Sequence, residues 1–333
     1  MKPANILLFG DINLDVSMPV PEIPPPGQDV YADKLSFNLG GSSTNTAIDL
    51  SQLGITPHLL GSIGTDLNGD RLLNEMKTYG LDTGYIFRKS ESPSGQIFLA
   101  ILPDGERSMY SFRGANVYTT PADVPDGWES KIDLLHLSGY VFLKSPQRDT
   151  ALSLIETAHK KHIPISIDTG MDPVLVAHNE MEKVLKFLDI CICGHREGTL
   201  LTGKEEPSQI LHAFFDLGMS CGAIKLGNKG CLVGLNGKVF RLPALSIQAV
   251  DTTGSGDAFS AGLLIAWLNQ YGLSDMCMLA NSLGAYMATQ LGSISSKLSW
   301  ASLLDFLNQT RDNQSSELRQ CISDLIPLIT EKQ

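Results

Sequence analysis

The sequence predicts an α/β protein in which a mostly parallel sheet lies between two layers of helices, as in Rossmann-like folds, and a small β layer covers one edge. Three observations support this fold class. Apolar runs of strand length alternate with helical periodicity over most of the 333 residues. Two extended stretches interrupt that alternation. Glycine-rich and polar segments follow several apolar runs, as expected at the carboxyl ends of parallel strands.

The alternation begins at residues 5–10, where Ile6-Leu7-Leu8-Phe9 forms the continuous apolar run of a strand buried on both faces. The next predicted elements are helix 42–53, strand 58–64 and helix 66–79. Later apolar runs predict strands 132–137, 164–167, 189–193, 223–226, 231–233 and 245–250. Helical periodicity predicts helices 145–162, 181–188, 258–268, 274–290, 299–309 and 316–330.

The interrupting stretches predict the extra β layer. Residues 30–38 are extended, and 95–102 and 106–112 are joined by Pro103-Asp104-Gly105, a strong turn signal. We expect these segments to pair outside the main sheet as a lid that excludes water from the site. The chain is thus predicted to be one domain over residues 1–333, with lid segments at about 12–38 and 88–117.

Composition excludes several classes of partner. The chain has 25 Lys and Arg against 36 Asp and Glu, a net charge of −11, which repels nucleic acid and anionic membranes. The sequence shows neither a membrane span nor a signal peptide, so a cytoplasmic location is expected. The six cysteines lie mostly in apolar runs, which favours reduced buried thiols over disulfides or a metal site at Cys191 and Cys193.

The segment Gly254-Ser255-Gly256-Asp257 joins an apolar run to an apolar helix and is the first candidate site. Small residues at a helix start leave backbone N–H groups free to bind an anion such as a phosphate. Asp257 would then stand beside the transferred group, where it can accept a proton from an attacking hydroxyl. The alternative is that Asp257 only caps the helix.

Polar residues near the N-terminus form a second candidate site. Asp11, Asn13 and Asp15 alternate, so in an extended chain they project to one side and suit a polyhydroxylated ligand; the alternative is a polar loop rim. Gly40-Gly41 opens a helix in which Asn45 lies one turn further; the alternative is a tight turn. Arg113 closes the predicted hairpin and either reaches into the covered site or is solvated.

Two long motifs closely resemble signatures of the ribokinase-like (PfkB) carbohydrate kinase family. Residues 251–262, DTTGSGDAFSAG, resemble its C-terminal signature, and residues 37–47, FNLGGSSTNTA, resemble its N-terminal one. The resemblance covers nearly the whole chain and implies ATP-dependent phosphorylation of a sugar or nucleoside hydroxyl with Mg²⁺. It also implies a homodimer formed through the lid.

The resemblance assigns roles to residues. It implies that Asp257 is the base and that the amides of Gly254, Ser255 and Gly256 stabilise the transferred group. The implied acceptor residues are Asn13, Asp15, Gly40, Gly41 and Asn45, with Arg113 beside them. The implied nucleotide residues are Lys225, Gly227, Gly230 and Asn281. Glu197 is implied to hold Mg²⁺ through water, and Asp251, Thr253 and Ser296 lie where many members bind a monovalent cation, usually potassium.

The sequence departs from the family pattern at two places. Gly194 stands where the Asn-x-x-Glu motif has its Asn, and Gln290 replaces an Arg that some ribokinases have near the cation site. Residues 169–171, after Asp168, include no Arg of the kind that holds the carboxylate in ketodeoxygluconate kinases, so a neutral ribose-like or fructose-like sugar is favoured.

The alternatives are a nucleoside, a 2-keto-3-deoxygluconate or a non-catalytic sugar-binding regulator on the same fold. A dinucleotide oxidoreductase is disfavoured, since no Gly-x-Gly-x-x-Gly follows the first strand.

Overall fold

The computed structural model describes residues 4–103 and 107–332, and its strands form two separate sheets. In chain order the strands are β1 (Asn5–Phe9), β2 (Asn13–Pro19), β3 (Ser36–Gly40), β4 (Thr56–Gly64), β5 (Ile86–Lys89), β6 (Gly95–Ile101), β7 (Arg107–Phe112), β8 (Leu134–Ser138), β9 (Ile165–Asp168), β10 (Ile190–Gly194), β11 (Cys221–Lys225), β12 (Cys231–Leu235) and β13 (Lys238–Leu242). The helices are α1 (Ser42–Gln52), α2 (Leu67–Thr78), α3 (Gln147–Lys160), α4 (Met171–Val176), α5 (His178–Leu185), α6 (His195–Thr202), α7 (Pro207–Asp216), α8 (Ser255–Leu268), α9 (Leu273–Ala288), α10 (Trp300–Arg311) and α11 (Ser316–Thr330).

The large sheet has nine strands in the order β13-β12-β11-β10-β9-β8-β1-β4-β5. All neighbours are parallel except in β11-β12-β13, which are antiparallel at one edge. The small sheet has four strands in the order β3-β2-β6-β7. This arrangement confirms the predicted fold class: a mostly parallel sheet with a separate small β layer.

Alternating side chains of the large sheet pack into two apolar cores. In β1, Ile6 and Leu8 belong to the core shared with α1, α2 and α8 to α11, whereas Leu7 and Phe9 belong to the core shared with α3 to α7. A strand covered by helices on both faces needs apolar residues at every position, which explains the continuous run in the sequence. The six cysteines, all within the described residues, are free and buried.

The structure corrects one predicted element beside the candidate site. Residues 243–249 form no strand, although 245–250 is apolar enough to predict one. The edge that such a strand would occupy is already filled by β13. The segment is held instead by the side chain of Gln314, which bonds both backbone groups of Ser246, and by the Val250 N–H, which donates to the Ala288 carbonyl.

Other differences are smaller. The extended stretch 30–38 contributes only the short strand β3, and β2 extends the polar segment after β1 into the small sheet. The strands β5 and β13 and the helices α4, α6 and α7 were not predicted. The predicted turn Pro103-Asp104-Gly105 lies partly outside the described residues. None of the helices in the described ranges is long and apolar enough to cross a membrane.

Candidate active site

Asp257 lies in the first turn of α8, and its carboxylate is held by another helix. The Ser42 hydroxyl donates to Oδ1 at 2.8 Å, and the Asn45 amide donates to Oδ2 at 2.7 Å. The Thr46 hydroxyl also donates to the Asp257 carbonyl at 3.3 Å. The helix cap is Gly254, with no side-chain hydrogen bond, so the capping interpretation of Asp257 is wrong. Side chains from α1 fix both carboxylate oxygens instead.

The environment of Asp257 raises its pKa to a value suited to proton transfer. Burial raises the pKa to about 6, and the carboxylate of Asp168 acts in the same direction. The hydrogen bonds from Asn45 and Ser42 and the ammonium of Lys225 oppose that rise. Asp257 is therefore ionised above about pH 6 yet more basic than an exposed aspartate, as a general base requires.

The turn before Asp257 is shaped to receive an anion. Gly254 has a φ of 76°, and a side chain there would overlap the Ser293 carbonyl. A Cβ at Gly256 would lie 3.4 Å from the Lys225 Nζ, so the ammonium is beside the turn. Free amides at the start of a helix and a lysine charge are together a combination that can bind an anion.

Lys225 is held at the end of β11 by a salt bridge. Its Nζ lies 2.9 and 2.8 Å from the two carboxylate oxygens of Asp168. Asp168 is the last residue of β9. The Ser260 hydroxyl also donates to Asp168 at 2.7 Å. Burial alone would lower the pKa of Lys225, but the Asp168 carboxylate raises it above its ordinary value. The lysine therefore stays positively charged next to the turn.

Glu197 lies in the first turn of α6 and is oriented by two donors. Its Oε2 accepts from the Gly194 N–H at 2.9 Å and from the Thr169 hydroxyl at 2.6 Å. A Cβ at Gly194 would lie 3.0 Å from Oε1, so an asparagine there would require the Glu197 side chain to shift. Gly194 therefore leaves room for the Glu197 carboxylate in its present position.

The acceptor candidates lie on the small sheet. Asn13 and Asp15 project from the same face of β2, and a Cβ at Gly40 on the neighbouring β3 would overlap the Asp15 carboxylate. Burial and the charge of Asp257 raise the pKa of Asp15 to about 7. At Gly41 the φ is 110°, and a side chain would overlap the Asp11 carbonyl. Both glycines therefore allow the chain to pack closely against Asp11 and Asp15.

Arg113 lies at the junction of the two sheets and is already paired. Its Nε and Nη2 each lie 2.8 Å from a different oxygen of the Asp11 carboxylate. The Gln147 amide also donates to Asp11 at 2.8 Å. The Nη1 of Arg113 is buried without a hydrogen-bond partner among the described residues, so the guanidinium keeps one donor free. Arg113 and Asp11 thus form a structural clamp where the chain leaves and re-enters the large sheet.

The nucleotide candidates lie together at the other end of the site. Gly227 and Gly230, with φ values of 58° and 90°, form the turn between β11 and β12. A Cβ at Gly230 would overlap the Leu242 carbonyl and touch Pro243. The amide of Asn281 in α9 donates to the Pro243 carbonyl at 2.7 Å. Gly230 and Asn281 therefore both lie against the short segment 242–244. The turn that contains Gly230 follows Lys225 in the chain.

The cation candidates are only partly brought together. The Asp251 carboxylate accepts from the Thr253 N–H at 2.9 Å and the Gly292 N–H at 3.1 Å. Burial opposes ionisation, but these donors hold the pKa of Asp251 below its ordinary value. Arg107 of β7 donates to the Thr253 hydroxyl at 2.6 Å, which links the small sheet to this loop. Ser296 makes no hydrogen bond to Asp251 or Thr253 among the described residues.

A cleft of about 450 Å³ lies between the small sheet and the loop before α8. The small sheet contributes Asp15, Asn38 and Arg107 to its lining. The opposite side is formed by the loop before α8, with Thr252, and by the segment after α9, with Leu291. The cleft is large enough for a small polar molecule.

Sequence reasoning missed several residues of this region. Ser42 directly follows the predicted Gly40-Gly41 turn, and Asp168 directly follows the predicted strand 164–167, so the position of each was a usable signal. Tyr140 follows β8, and burial together with the carboxylates of Asp172 and Glu197 raises its pKa to about 12. Its hydroxyl therefore stays protonated beside the site.

Comparison with known proteins gives consistent results. Residues 3–300 match the family described as pfkB family carbohydrate kinase. The chain is 27% identical to a ribokinase of Haemophilus influenzae over 309 residues, 91% of this chain and 98% of the relative. It superposes on Arabidopsis thaliana ribokinase complexed with ribose and ATP with a TM-score of 0.77 and 23% identity, covering 91% of this chain and 98% of the other. An Escherichia coli protein provisionally assigned as ribokinase II, in complex with ATP and Mg²⁺, gives a TM-score of 0.82 at 17% identity, covering 92% and 99%.

Proposed function

Because the chain belongs to the pfkB family of carbohydrate kinases, we propose that it transfers the γ-phosphoryl group of ATP to a hydroxyl of a small neutral sugar. As a family member it is a phosphotransferase that acts on an alcohol group. The observation that carries the proposal is the carboxylate of Asp257, held by Ser42 and Asn45 at the start of α8 beside the Gly254 turn.

The residues of the core would carry out the transfer. Asp257 accepts the proton of the attacking hydroxyl, and because its pKa is about 6 it is ionised at neutral pH. The amides of Gly254, Ser255 and Gly256 and the Lys225 ammonium stabilise the charge of the transferred group. The turn at Gly227 and Gly230 and the nearby Asn281 would bind the nucleotide, while Asn13, Asp15, Gly40, Gly41 and Asn45 would bind the sugar.

Two ions belong to this proposal. Glu197 has the hard oxygen donor that Mg²⁺ prefers and would hold the ion through water, where it supplies charge stabilisation at the phosphates. Asp251 is ionised and, with Thr253 and Ser296, would hold a monovalent cation such as potassium. Potassium dependence and a cytoplasmic location stay predictions.

Several observations support a neutral sugar over the acidic sugar 2-keto-3-deoxygluconate. Two of the guanidinium nitrogens of Arg113 are paired with Asp11, so an acidic substrate could bond only the remaining Nη1 without competing with that carboxylate. The acceptor candidates also include Asp15, whose pKa is raised by burial and by the nearby charge of Asp257. A carboxylate on the substrate would be repelled by these acidic groups.

We also propose a homodimer formed through the small sheet. Its outer face exposes Phe98, Tyr110 and Phe112 at 44%, 61% and 45% of their surface. A cluster of exposed aromatic side chains is typical of an interaction surface. Sedimentation should show a dimer that dissociates when Phe98 and Tyr110 are both changed to Ser; a monomer at all concentrations of the unmodified protein contradicts the proposal.

One experiment tests the function directly. ADP release is measured with purified protein, ATP and Mg²⁺ over panels of neutral sugars, deoxy-sugar acids and nucleosides, with and without potassium. We expect ADP release only with a neutral sugar present. If activity is highest with a deoxy-sugar acid or with a nucleoside, that class of compound is the substrate and the neutral-sugar proposal is wrong. Sugar binding in calorimetry without any binding of an ATP analogue would instead support a non-catalytic regulator.

A further inference from the structure

The side chain of Asn116 lies where the chain passes between the two sheets. It belongs to the short 3₁₀ turn Gly114–Tyr118, which follows β7, and it is completely buried. Its amide oxygen accepts from the Ile12 N–H at 2.8 Å, and its amide nitrogen donates to the Ile12 carbonyl at 3.2 Å. The same nitrogen donates to the Oδ1 of Asn13 at 2.9 Å. Asn116 thus bonds the residue before β2 and the first residue of β2.

The backbone of Ile12 determines the orientation of both amides. A backbone N–H can only donate and a carbonyl can only accept, so Asn116 must direct its oxygen to the Ile12 N–H and its nitrogen to the Ile12 carbonyl. The Asn116 nitrogen then requires an acceptor on Asn13, which is the Oδ1 atom. The Nδ2 of Asn13, a donor, is therefore the end left to bond a ligand on the face of β2 that also carries Asp15.

Glycine at position 95 makes this contact possible. Gly95 in β6 is a register partner of Asn13, and the partner on the other side, Gly40 in β3, is also a glycine. A Cβ at Gly95 would overlap both the Asn116 nitrogen and the Asn13 oxygen. The absence of a side chain at position 95 thus leaves room for the hydrogen bond between Asn13 and Asn116.

We propose that Asn116 is a positioning residue that makes Asn13 a hydrogen-bond donor, so that the acceptor site presents a donor amide next to the Asp15 carboxylate. One sugar hydroxyl would accept from Asn13 and another would donate to Asp15. The inference rests on the proposed function and specifies the hydrogen-bonding polarity of its acceptor site. Asn116 is completely buried in the fold and acts on the sugar only through Asn13.

The decisive variant is Asn116→Asp. A carboxylate still accepts from the Ile12 N–H but cannot donate to Asn13. The Asn13 amide then turns to donate to the new carboxylate and directs its oxygen to the ligand. Two acceptors, Asn13 Oδ1 and Asp15, would stand side by side, and the hydroxyl that Asn13 served would lose its donor.

The readout is discrimination between the preferred sugar and the same sugar lacking one hydroxyl. For the unmodified protein, we expect one deoxy analogue to lose about 100-fold or more in kcat/KM, since a site built to bond a hydroxyl leaves a buried group unpaired without it. In Asn116→Asp this ratio should fall below about tenfold, through KM, with kcat changed less than about threefold. Gly95→Ala should give the same loss without altering any polar group.

The controls and contrary results are distinct. Asn313→Asp, at an exposed position, and Gly272→Ala should leave the discrimination unchanged. Full discrimination in folded Asn116→Asp and Gly95→Ala would overturn the inference while leaving the kinase function intact. If neither variant folds, the side-chain ¹⁵N amide signal of Asn13 in the unmodified protein decides: it should shift on sugar binding, and an unchanged signal overturns the inference. If the protein releases no ADP with any sugar, the proposed function is wrong. Calorimetry of a sugar and its deoxy analogue then tests only whether Asn13 presents a hydrogen-bond donor to the ligand.

Discussion

The two walls of the candidate site, one on the core and one on the small sheet, are stabilised in different ways. On the core wall, charged groups are paired: Lys225 with Asp168, and the Asp257 carboxylate with donors from α1. On the small-sheet wall, one oxygen of Asp15 is buried without a hydrogen-bond partner in the part of the chain that the structure describes, and burial raises the pKa of that residue to about 7. The charged groups of the core wall are therefore paired without a ligand, whereas the Asp15 carboxylate, like the amide oxygen of Asn45, keeps bonding capacity for one.

This difference indicates a division of labour. Groups that must act on developing charge gain from being fixed in advance by packed helices and salt bridges. Groups that recognise a hydroxyl must keep bonding capacity free, which costs stability in the unliganded protein. Substitutions on the core wall should therefore affect mainly kcat, and substitutions on the small-sheet wall should affect mainly KM and stability.

The largest effect is expected for Asp257→Asn on the core wall. The amide cannot accept the hydroxyl proton, so kcat should fall on the order of a thousandfold or more, with dissociation constants of sugar and ATP within about threefold of the original. Steady-state kinetics and calorimetry measure both. Asp312→Asn, whose side chain is 83% exposed, is the matched control and should not change kcat. A kcat within tenfold of the unmodified protein would remove Asp257 as the base.

A smaller effect, of a different kind, is expected for Asp15→Asn on the small-sheet wall. Loss of the carboxylate weakens the bond to a sugar hydroxyl, so KM for the sugar should rise by about 100-fold while kcat falls less than about tenfold. Steady-state kinetics with varied sugar measures the split. A loss confined to kcat, with KM unchanged, would break the comparison between the two walls.

The smallest effect concerns stability and a third carboxyl. Asp49 in α1 is completely buried, neither carboxylate oxygen has a hydrogen-bond partner among the described residues, and burial raises its pKa well above the ordinary value of 3.8. A carboxyl whose pKa is raised by folding stabilises the protein when protonated, and that contribution is lost as pH rises through the folded pKa. Asp49→Asn should therefore melt higher than the unmodified protein at pH 8, by about 2 °C or more.

The gap should shrink as the pH is lowered to 5, because the native carboxyl is then protonated. Thermal unfolding at both pH values measures it, and Asp312→Asn should show no such gap. A melting temperature that is lower for Asp49→Asn at both pH values would mean that the Asp49 carboxylate has an unrecognised stabilising partner.

The sequence allowed prediction of what depends on local pattern. The continuous apolar run of β1 and the glycine turn before Asp257 are each visible within a few residues. The strand predicted at 245–250 was wrong because a local apolar run does not reveal that β13 already fills that edge of the sheet. The edge strand β5, which contains Arg88 and Lys89, lacks the apolar pattern of a buried strand and was missed.

The contacts that define the site depend on packing between distant segments. Asp257 is 215 residues from Ser42, and Asn116 is 103 residues from Asn13, so no periodicity could pair them. The Asp11 partner of Arg113 was also beyond reach, although both residues had been identified separately. Residue types and strand ends could be predicted, but hydrogen-bond partners and pKa values could not.

The central claim, that Asp257 is the base and that donors from α1 limit the rise of its pKa on burial, is tested most directly by the single-turnover rate of phosphoryl transfer against pH. With sugar and ATP already bound, the rate should fall about tenfold per pH unit below a midpoint near the pKa of about 6. In Ser42→Ala, which loses a donor to the Asp257 carboxylate, the midpoint should move to higher pH. A rate that is flat from pH 5 to 8 in both proteins would contradict the account.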